Sequence, residues 1–309
     1  MKISRQTREL INIIVFLVVV GLLLTFYVIY PLNRAKALMG RTDLDNFDTD
    51  SIPPIDPTVL VDAGLPVDTF RVEADGLTQL GCYYLTPTLD SADTVRGTVI
   101  LIPSQNEGPS ALLPLTRQLL DSGFVVTIYD QRATRSSTGR YHGEGQYETA
   151  DLQALIGYMY IHEQVKGPLH LVGFATGGDA VLLIQREESR PSDAIAVRPY
   201  LSTTRWLDKL RERHESIPIP FFRTVMWFWY EIRSGYAAEY RDPEEISGVK
   251  LPTVVLLPEE DLDSKEAQLL QSESPDALLT IDAAPADPAA TAETIVRHLV
   301  LHEAALTKK

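Results

Sequence analysis

The stretch LHLVGFATGGDAVLL, residues 169–183, decides which fold the sequence predicts. Its first half is a short, mostly apolar run over residues 170–174, of the kind that forms a buried strand. Its second half begins a helical pattern that runs from residue 177 to residue 187. The connection at residues 175–176 is very short and is flanked by glycines. These features together predict a strand, a tight turn and a helix in direct succession.

The same alternation of buried strands and amphipathic helices extends in both directions from this unit. It predicts an α/β fold, with a mostly parallel central sheet, helices on both faces and an antiparallel pair at the start. The predicted strands are Val67–Glu73, Leu80–Thr86, Thr98–Ile102, Val125–Tyr129, His170–Phe174, Ile195–Val197, Thr253–Leu257 and Leu278–Ile281. The predicted helices of this body are Ala111–Ser122, Glu148–Glu163, Gly177–Glu187 and Thr291–Leu301.

The composition excludes several classes of function. The 309 residues include 28 Lys and Arg against 42 Asp and Glu, which gives a formal net charge of −14. An acidic surface repels phosphate backbones, so we expect no nucleic-acid partner. The single cysteine, Cys82, excludes an intrachain disulfide and a multi-cysteine zinc site. The aspartates of residues 40–57 lack the Gly and Glu positions of a calcium loop, and no cofactor or metal ion is predicted.

The segment Leu10–Tyr30 is almost purely apolar, with only Asn12 and Thr25 clearly polar. As a helix it would measure about 31 Å, close to the hydrocarbon thickness of a bilayer, and Pro31 would end it. A cleaved signal peptide is the alternative, but its apolar core is normally only about 7–15 residues long. We therefore predict an uncleaved single-pass anchor, with the lipid bilayer as its partner.

The positive charges that flank this segment do not settle its orientation, because three Lys or Arg residues lie on each side. The short N-terminal tail favours a cytoplasmic N-terminus, which would place the main domain outside the cytoplasm. The predicted organisation is a tail at 1–9, an anchor at 10–30, an acidic Pro-containing linker at 31–57 and one domain at 58–309, with a helical cap insert at about 202–248.

Several ordered strings resemble the α/β-hydrolase superfamily, and in particular membrane-anchored bacterial serine hydrolases of the S33-peptidase and lipase-like type. The likeness covers roughly residues 67–303 and implies an α/β-hydrolase fold. The strings that carry it are VVTIYDQRATRSSTGRY (125–141), YETADLQAL (147–155), GFATGG (173–178), RPYLSTTRWL (198–207), LPTVVLLPEEDLDS (251–264) and LLTIDAAPADPAAT (278–291).

The resemblance assigns the positions of a catalytic triad, and this chain departs from the family at two of them. The nucleophile position in the family's G-x-S-x-G turn holds Ala175, and the acid position matches Asp261. The histidine position falls at about Pro285, or at Ala284 or Ala286 with a small shift of the alignment. A methyl group cannot attack a carbonyl, and neither proline nor alanine can accept a proton. Without its histidine, Asp261 is expected to belong to a solvated acidic loop.

The positions that would stabilise an oxyanion are partly retained. The resemblance places one donor at the backbone N–H of Thr176 and the other around Ser104 and Gln105. A relocated catalytic centre is the remaining alternative. Its nucleophile would be Thr176 or Ser104, and its base would be His142 or His214, the two of the six histidines nearest to the predicted cleft.

Three hypotheses follow from these observations. The first is a membrane-anchored, catalytically inactive pseudohydrolase that binds a small apolar ligand or a protein partner. The second is an active ester or acyl hydrolase with a relocated centre. The third is a structural protein at the membrane surface, with no cleft at all.

Overall fold

A computed structural model describes most of the body and the N-terminal segment. Most of the predicted cap insert lies outside the described residues, and so do much of the predicted linker and His214. The described residues are 5–33, 40, 52–76, 78–89, 94–105, 107–139, 141–143, 145–202, 205, 224–225, 228–229, 232, 249–275 and 277–306.

The centre of the body is one eight-stranded sheet, and each strand predicted from the sequence is present. The strand order is β1-β2-β4-β3-β5-β6-β7-β8. Strand β2 is antiparallel to both of its neighbours, and all other neighbouring pairs are parallel. The strands are β1 (Val67–Glu73), β2 (Gln79–Leu85), β3 (Gly97–Ile102), β4 (Phe124–Tyr129), β5 (Leu169–Phe174), β6 (Asp193–Val197), β7 (Thr253–Leu257) and β8 (Leu279–Ala283).

The described residues contain the predicted N-terminal helix, the four helices predicted for the body and two more, α2 and α6; most of the predicted helical cap insert lies outside them. Helix α6 has few apolar residues, but Ser264 caps it by accepting a hydrogen bond from the Ala267 N–H. The helices are α1 (Arg5–Leu24), α2 (Thr58–Asp62), α3 (Leu113–Asp121), α4 (Gln146–Ile161), α5 (Thr176–Ile184), α6 (Lys265–Glu273) and α7 (Pro288–Leu306).

The sheet separates two apolar cores, which explains why its strands are apolar on both faces. In β3, Val99 and Leu101 pack with side chains of α3 and α7. The intervening Ile100 and Ile102 point to the other face and pack with α4 and α5. The predicted arrangement of helices on both faces is therefore confirmed.

The N-terminal helix passes beyond its predicted end at Pro31 and continues to Asn33. Its turn at Thr25–Ile29 is a π-helix, in which the Tyr30 N–H donates to the Thr25 carbonyl. Proline has no N–H and crowds the preceding turn, and a wider turn just before it relieves both problems. With a mean hydropathy of 2.9 and no buried side chains in its most apolar window, Arg5–Asn33 is long and apolar enough to cross a bilayer.

The end of the predicted linker packs onto the body. Ile55 lies against the core that contains α3, and Arg71 donates a hydrogen bond to the Pro53 carbonyl. The same guanidinium donates to the Ser136 carbonyl at 3.0 Å. Pro53 and Ile55, in the last part of the predicted linker, therefore contact the body.

Candidate active site

The connection between β5 and α5 is a strained elbow at the carboxyl edge of the sheet. Ala175 has a φ of +50° and a ψ of −115°, a conformation that non-glycine residues rarely adopt. Its N–H donates to the Val197 carbonyl at 2.9 Å, which fastens the elbow to β6. The backbone therefore presents the Ala175 side chain as it would present a nucleophile, although that side chain is only a methyl group.

The glycines around the elbow are required by close backbone contacts. A Cβ on Gly173 would lie 2.1 Å from the Gly177 carbonyl oxygen. A Cβ on Gly177 would lie 2.5 Å from the Ile102 carbonyl oxygen. Both contacts involve backbone atoms that cannot move aside, so the small residues read from the sequence are needed for this tight turn.

A cleft of about 980 Å³ opens at this edge, and Ala175 lines it. The loop after β3 contributes Ser104, the loop after β7 contributes Asp261, and the loop after β8 contributes Ala284 and Ala286. Parallel strands bring these loops together because their carboxyl ends share one edge of the sheet. Three separate regions that the resemblance assigned to catalysis thus converge on one cleft.

The predicted acid, Asp261, is buried and already has a cationic partner. Arg205 forms an ion pair with its carboxylate, and the two side chains are only 14% and 11% exposed. The Arg205 backbone N–H donates to Ser202 Oγ at 3.1 Å, and its guanidinium also lies 3.5 Å from Glu266 Oε2. The Asp261 carboxylate is therefore not solvated, although Glu259 and Glu260 in the same loop are exposed, because the Arg205 guanidinium binds it.

Hydrogen bonds to a backbone carbonyl fix the loop at the predicted histidine position. The Pro285 carbonyl accepts hydrogen bonds from Arg198 Nη2 at 2.6 Å and from Thr291 Oγ1 at 3.1 Å. Ala284 and Ala286 line the cleft on either side of it. Both alanines therefore lie in the lining of the cleft, in the loop where the resemblance places the histidine.

The predicted oxyanion region is tied into internal hydrogen bonds. The Gln105 N–H donates to Thr176 Oγ1 at 3.2 Å, and Thr176 Oγ1 in turn lies 3.4 Å from Gln131 Oε1. Gln131 Nε2 donates to the Pro103 carbonyl at 2.7 Å. The Thr176 hydroxyl is buried and faces this network, which makes it a poor substitute nucleophile.

Of the two candidate bases, His142 does not line the cleft, and His214 lies outside the described residues. His142 is buried in the loop after β4, with its Nδ1 3.9 Å from Glu148 Oε1. Glu148 accepts hydrogen bonds from the N–H groups of Gly143 and Gly145. These residues form a buried hydrogen-bonded group that is separate from the cleft. Among the described residues that line the cleft, none is a histidine.

A buried ion pair fixes the loop after β4, where the resemblance identified the string 125–141. Arg132 donates from Nε to Asp151 Oδ2 at 2.8 Å and from Nη2 to Asp151 Oδ1 at 2.5 Å. Burial raises the pKa of the Asp151 carboxyl to about 6, although the hydrogen bonds and charge of Arg132 lower it. In the same loop, Asp130 accepts a hydrogen bond from Ser136 Oγ at 2.5 Å. These polar residues stabilise the loop and do not reach the cleft.

Comparison with known proteins shows the fold and little more. No known family profile matches the chain, and no curated protein sequence matches it. Among solved structures, an esterase of Pyrococcus furiosus is similar with a TM-score of 0.57 and 16% identity, covering 84% of this chain and 97% of its own.

Two further structures have the same architecture. A proline iminopeptidase of Mycobacterium smegmatis has a TM-score of 0.53 and 14% identity, covering 77% of this chain and 100% of its own. An α/β-hydrolase of Penicillium sp. sh18 has a TM-score of 0.57 and 14% identity, covering 77% and 98%. The strand order, the strained elbow and these similarities lead to one conclusion: the chain has the α/β-hydrolase fold.

Proposed function

We propose that this protein is a membrane-anchored pseudohydrolase that binds a small apolar ligand in the cleft at Ala175 and does not hydrolyse it. The observation that carries the proposal is the combination of a retained, strained elbow with a methyl group at its tip. The pairing of Asp261 with Arg205 supports it, because the acid is then unavailable to orient a base.

Each catalytic role is affected in a different way. The nucleophile is absent because Ala175 carries no oxygen. The base is absent from the described lining of the cleft, and the acid is ion-paired. In a working triad, loss of a single member removes most of the rate, so the loss of two leaves only what binding and backbone donors supply.

The cleft itself suits a ligand. Its volume of about 980 Å³ lies at the upper end of the range of ligand sites, which is about 300–1,000 Å³. Apolar side chains such as Leu112, Leu115, Phe174 and Ile295 line it together with acidic groups such as Glu259. The apolar part of this lining suits an apolar molecule of modest size.

We expect the full chain in lipid nanodiscs to bind p-nitrophenyl hexanoate without releasing p-nitrophenolate. The ester should raise the melting temperature in a saturable way, because it stabilises the folded state that it binds. A fluorophosphonate probe, which reacts only with an activated serine, should leave the protein unlabelled.

Two variants control this experiment. Ala286→Trp places a large ring in the lining of the cleft and should reduce the shift in melting temperature, whereas Ala289→Trp, on the exposed start of α7 outside the cleft lining, should not. Ester turnover or probe labelling that Ser104→Ala or His142→Ala removes would establish the alternative, an active hydrolase with a relocated centre. A thermal shift that neither tryptophan variant changes would refute binding in the cleft.

We further propose that the helix at Arg5–Asn33 anchors the protein in the membrane and that the body lies outside the cytoplasm. Cys82 is fully buried, so a cysteine introduced at exposed Glu293 becomes the reactive thiol. In intact cells, a membrane-impermeant maleimide should label Glu293→Cys and should leave Thr7→Cys, at the start of the helix, unlabelled. The reverse pattern would place the body in the cytoplasm.

A further inference from the structure

Three histidines meet around one aspartate at the edge of the sheet opposite to the elbow. His170 lies near the start of β5, Asp193 begins β6, and His298 and His302 lie four residues apart on α7. Five residues of extended chain separate His170 from Ala175, a distance of about 16 Å. This cluster is therefore separate from the cleft.

Two distances within the cluster suit ligands of a single metal ion, and ligand atoms of His170, Asp193 and His302 all lie within 4.8 Å of one another. His302 Nδ1 lies 3.2 Å from Asp193 Oδ2, and His298 Nε2 lies 3.7 Å from the same oxygen. Two ligand atoms that bind a tetrahedral zinc ion at about 2.0–2.1 Å are about 3.4 Å apart. Histidines at positions i and i+4 of a helix also face the same side, as metal-binding pairs do.

The orientation of Asp193 is fixed by its other oxygen. His170 Nδ1 donates to Asp193 Oδ1 at 2.6 Å, which is a hydrogen bond and is too short for two ligands of one ion. The edge-on ring of Phe124 packs against His170, with the ring centroids 5.7 Å apart. Carboxylates that bind metals are commonly held by such a second hydrogen bond, which leaves the free oxygen to face the ion.

The atoms that face one another lack hydrogen bonds. Within the described part of the chain, no hydrogen bond reaches Asp193 Oδ2, His298 Nε2 or His302 Nδ1. The Asp193 side chain is completely buried. A buried carboxylate oxygen that lies beside two imidazole nitrogens, with none of the three atoms in a hydrogen bond, is costly, and a cation between them would offset this cost.

We propose that Asp193, His298 and His302 bind one Zn²⁺ ion, with His170 as the positioning residue for the carboxylate. Two imidazole nitrogens and one carboxylate oxygen form a donor set that suits zinc. The side chains of His298 and His302 are 33% and 18% exposed, so a water molecule can complete the coordination. The bound ion ties α7 to the start of β6.

The test measures zinc on the full chain in detergent, purified without a histidine tag and dialysed against buffer that contains zinc. Mass spectrometry of the metal should find one zinc ion per chain. His298→Gln and His302→Gln should each weaken zinc binding at least tenfold. His162→Gln, which changes an exposed histidine outside the cluster, should bind zinc as the wild type does.

Further measurements distinguish a loss of zinc binding from a loss of folding. Circular dichroism of the zinc-free variants reports whether each is folded, and Co²⁺ in the wild-type protein should give the intense visible absorption of a four-coordinate site. Zinc should also raise the melting temperature of the wild type and not that of the double variant His298→Gln, His302→Gln. A wild-type protein without stoichiometric zinc, or a folded double variant that binds zinc equally well, would overturn the proposal.

Discussion

Replacement of Arg132 by methionine is expected to lower the free energy of unfolding by about 3–5 kcal/mol at pH 8. Arg132 makes two charge-assisted hydrogen bonds to Asp151, and the two side chains are only 6% and 0% exposed. Methionine fills much of the space but carries no charge. The variant would therefore retain a buried carboxylate that has lost its main cation.

The size of this loss should depend on pH. Burial raises the pKa of Asp151 to about 6 even while Arg132 lowers it, so removal of Arg132 should raise that pKa further. The folded variant then binds a proton at pH values where the unfolded chain, with a pKa near 3.9, does not. Stability consequently falls as the pH rises through this window, and we expect a smaller loss at pH 5 than at pH 8.

Urea unfolding of the full chain in detergent, followed by circular dichroism, measures both effects. The matched control is Arg297→Met, which removes an exposed pair with Glu293 on α7 and should cost less than about 1 kcal/mol. Equal losses in the two variants, or a loss in Arg132→Met that is the same at both pH values, would contradict the assignment of a buried ion pair.

The second large effect that we expect is a gain of nucleophilic reactivity at the elbow. The triple variant Ala175→Ser, Ala286→His and Arg205→Ala is expected to react with a fluorophosphonate probe, which the wild type should not do. Serine at 175 would use the retained elbow, histidine at 286 would enter the cleft, and removal of Arg205 would free Asp261 to orient the histidine. All three roles of a hydrolase triad would then be present at one edge of the sheet.

The controls for this variant separate the roles. Ala175→Ser alone lacks a general base and should react about 10²–10⁴-fold more slowly. Placing the histidine at Ala289, outside the cleft lining, should give no more reactivity than the serine alone. If the triple variant is folded and still inert, the described cleft does not have the geometry of an active site.

Much of the fold can be predicted from the sequence because its signals are local. The strands are continuous apolar runs, since both faces of the sheet are covered. The elbow is recognisable from its glycines, because the turn leaves no space for a Cβ at Gly173 or Gly177. The assignments of Ala175 and Asp261 come from the resemblance: Ala175 follows directly after β5, whereas Asp261 lies four residues beyond the end of β7.

The partners of these residues could not be predicted, since they come from distant parts of the chain. Arg205 and Asp261 are separated by a whole insert, and no local pattern marks Arg205 as the partner of the acid. The histidine cluster combines β5, β6 and α7, and its only local trace is the spacing of His298 and His302. That spacing occurs in many surface helices, and it indicates a metal site only once the fold places Asp193 opposite the two histidines.

Helix α7 is one of the elements that connect the cleft with the histidine cluster. Near its start, Thr291, Ala292 and Ile295 line the cleft, and farther along, His298 and His302 face Asp193. At 1.5 Å per residue, the span from Thr291 to His302 is about 16 Å of continuous helix. A ligand in the cleft that shifts α7 would change the affinity of the histidine cluster for zinc. Thermodynamic linkage then requires zinc to change the affinity of the cleft for that ligand by the same factor.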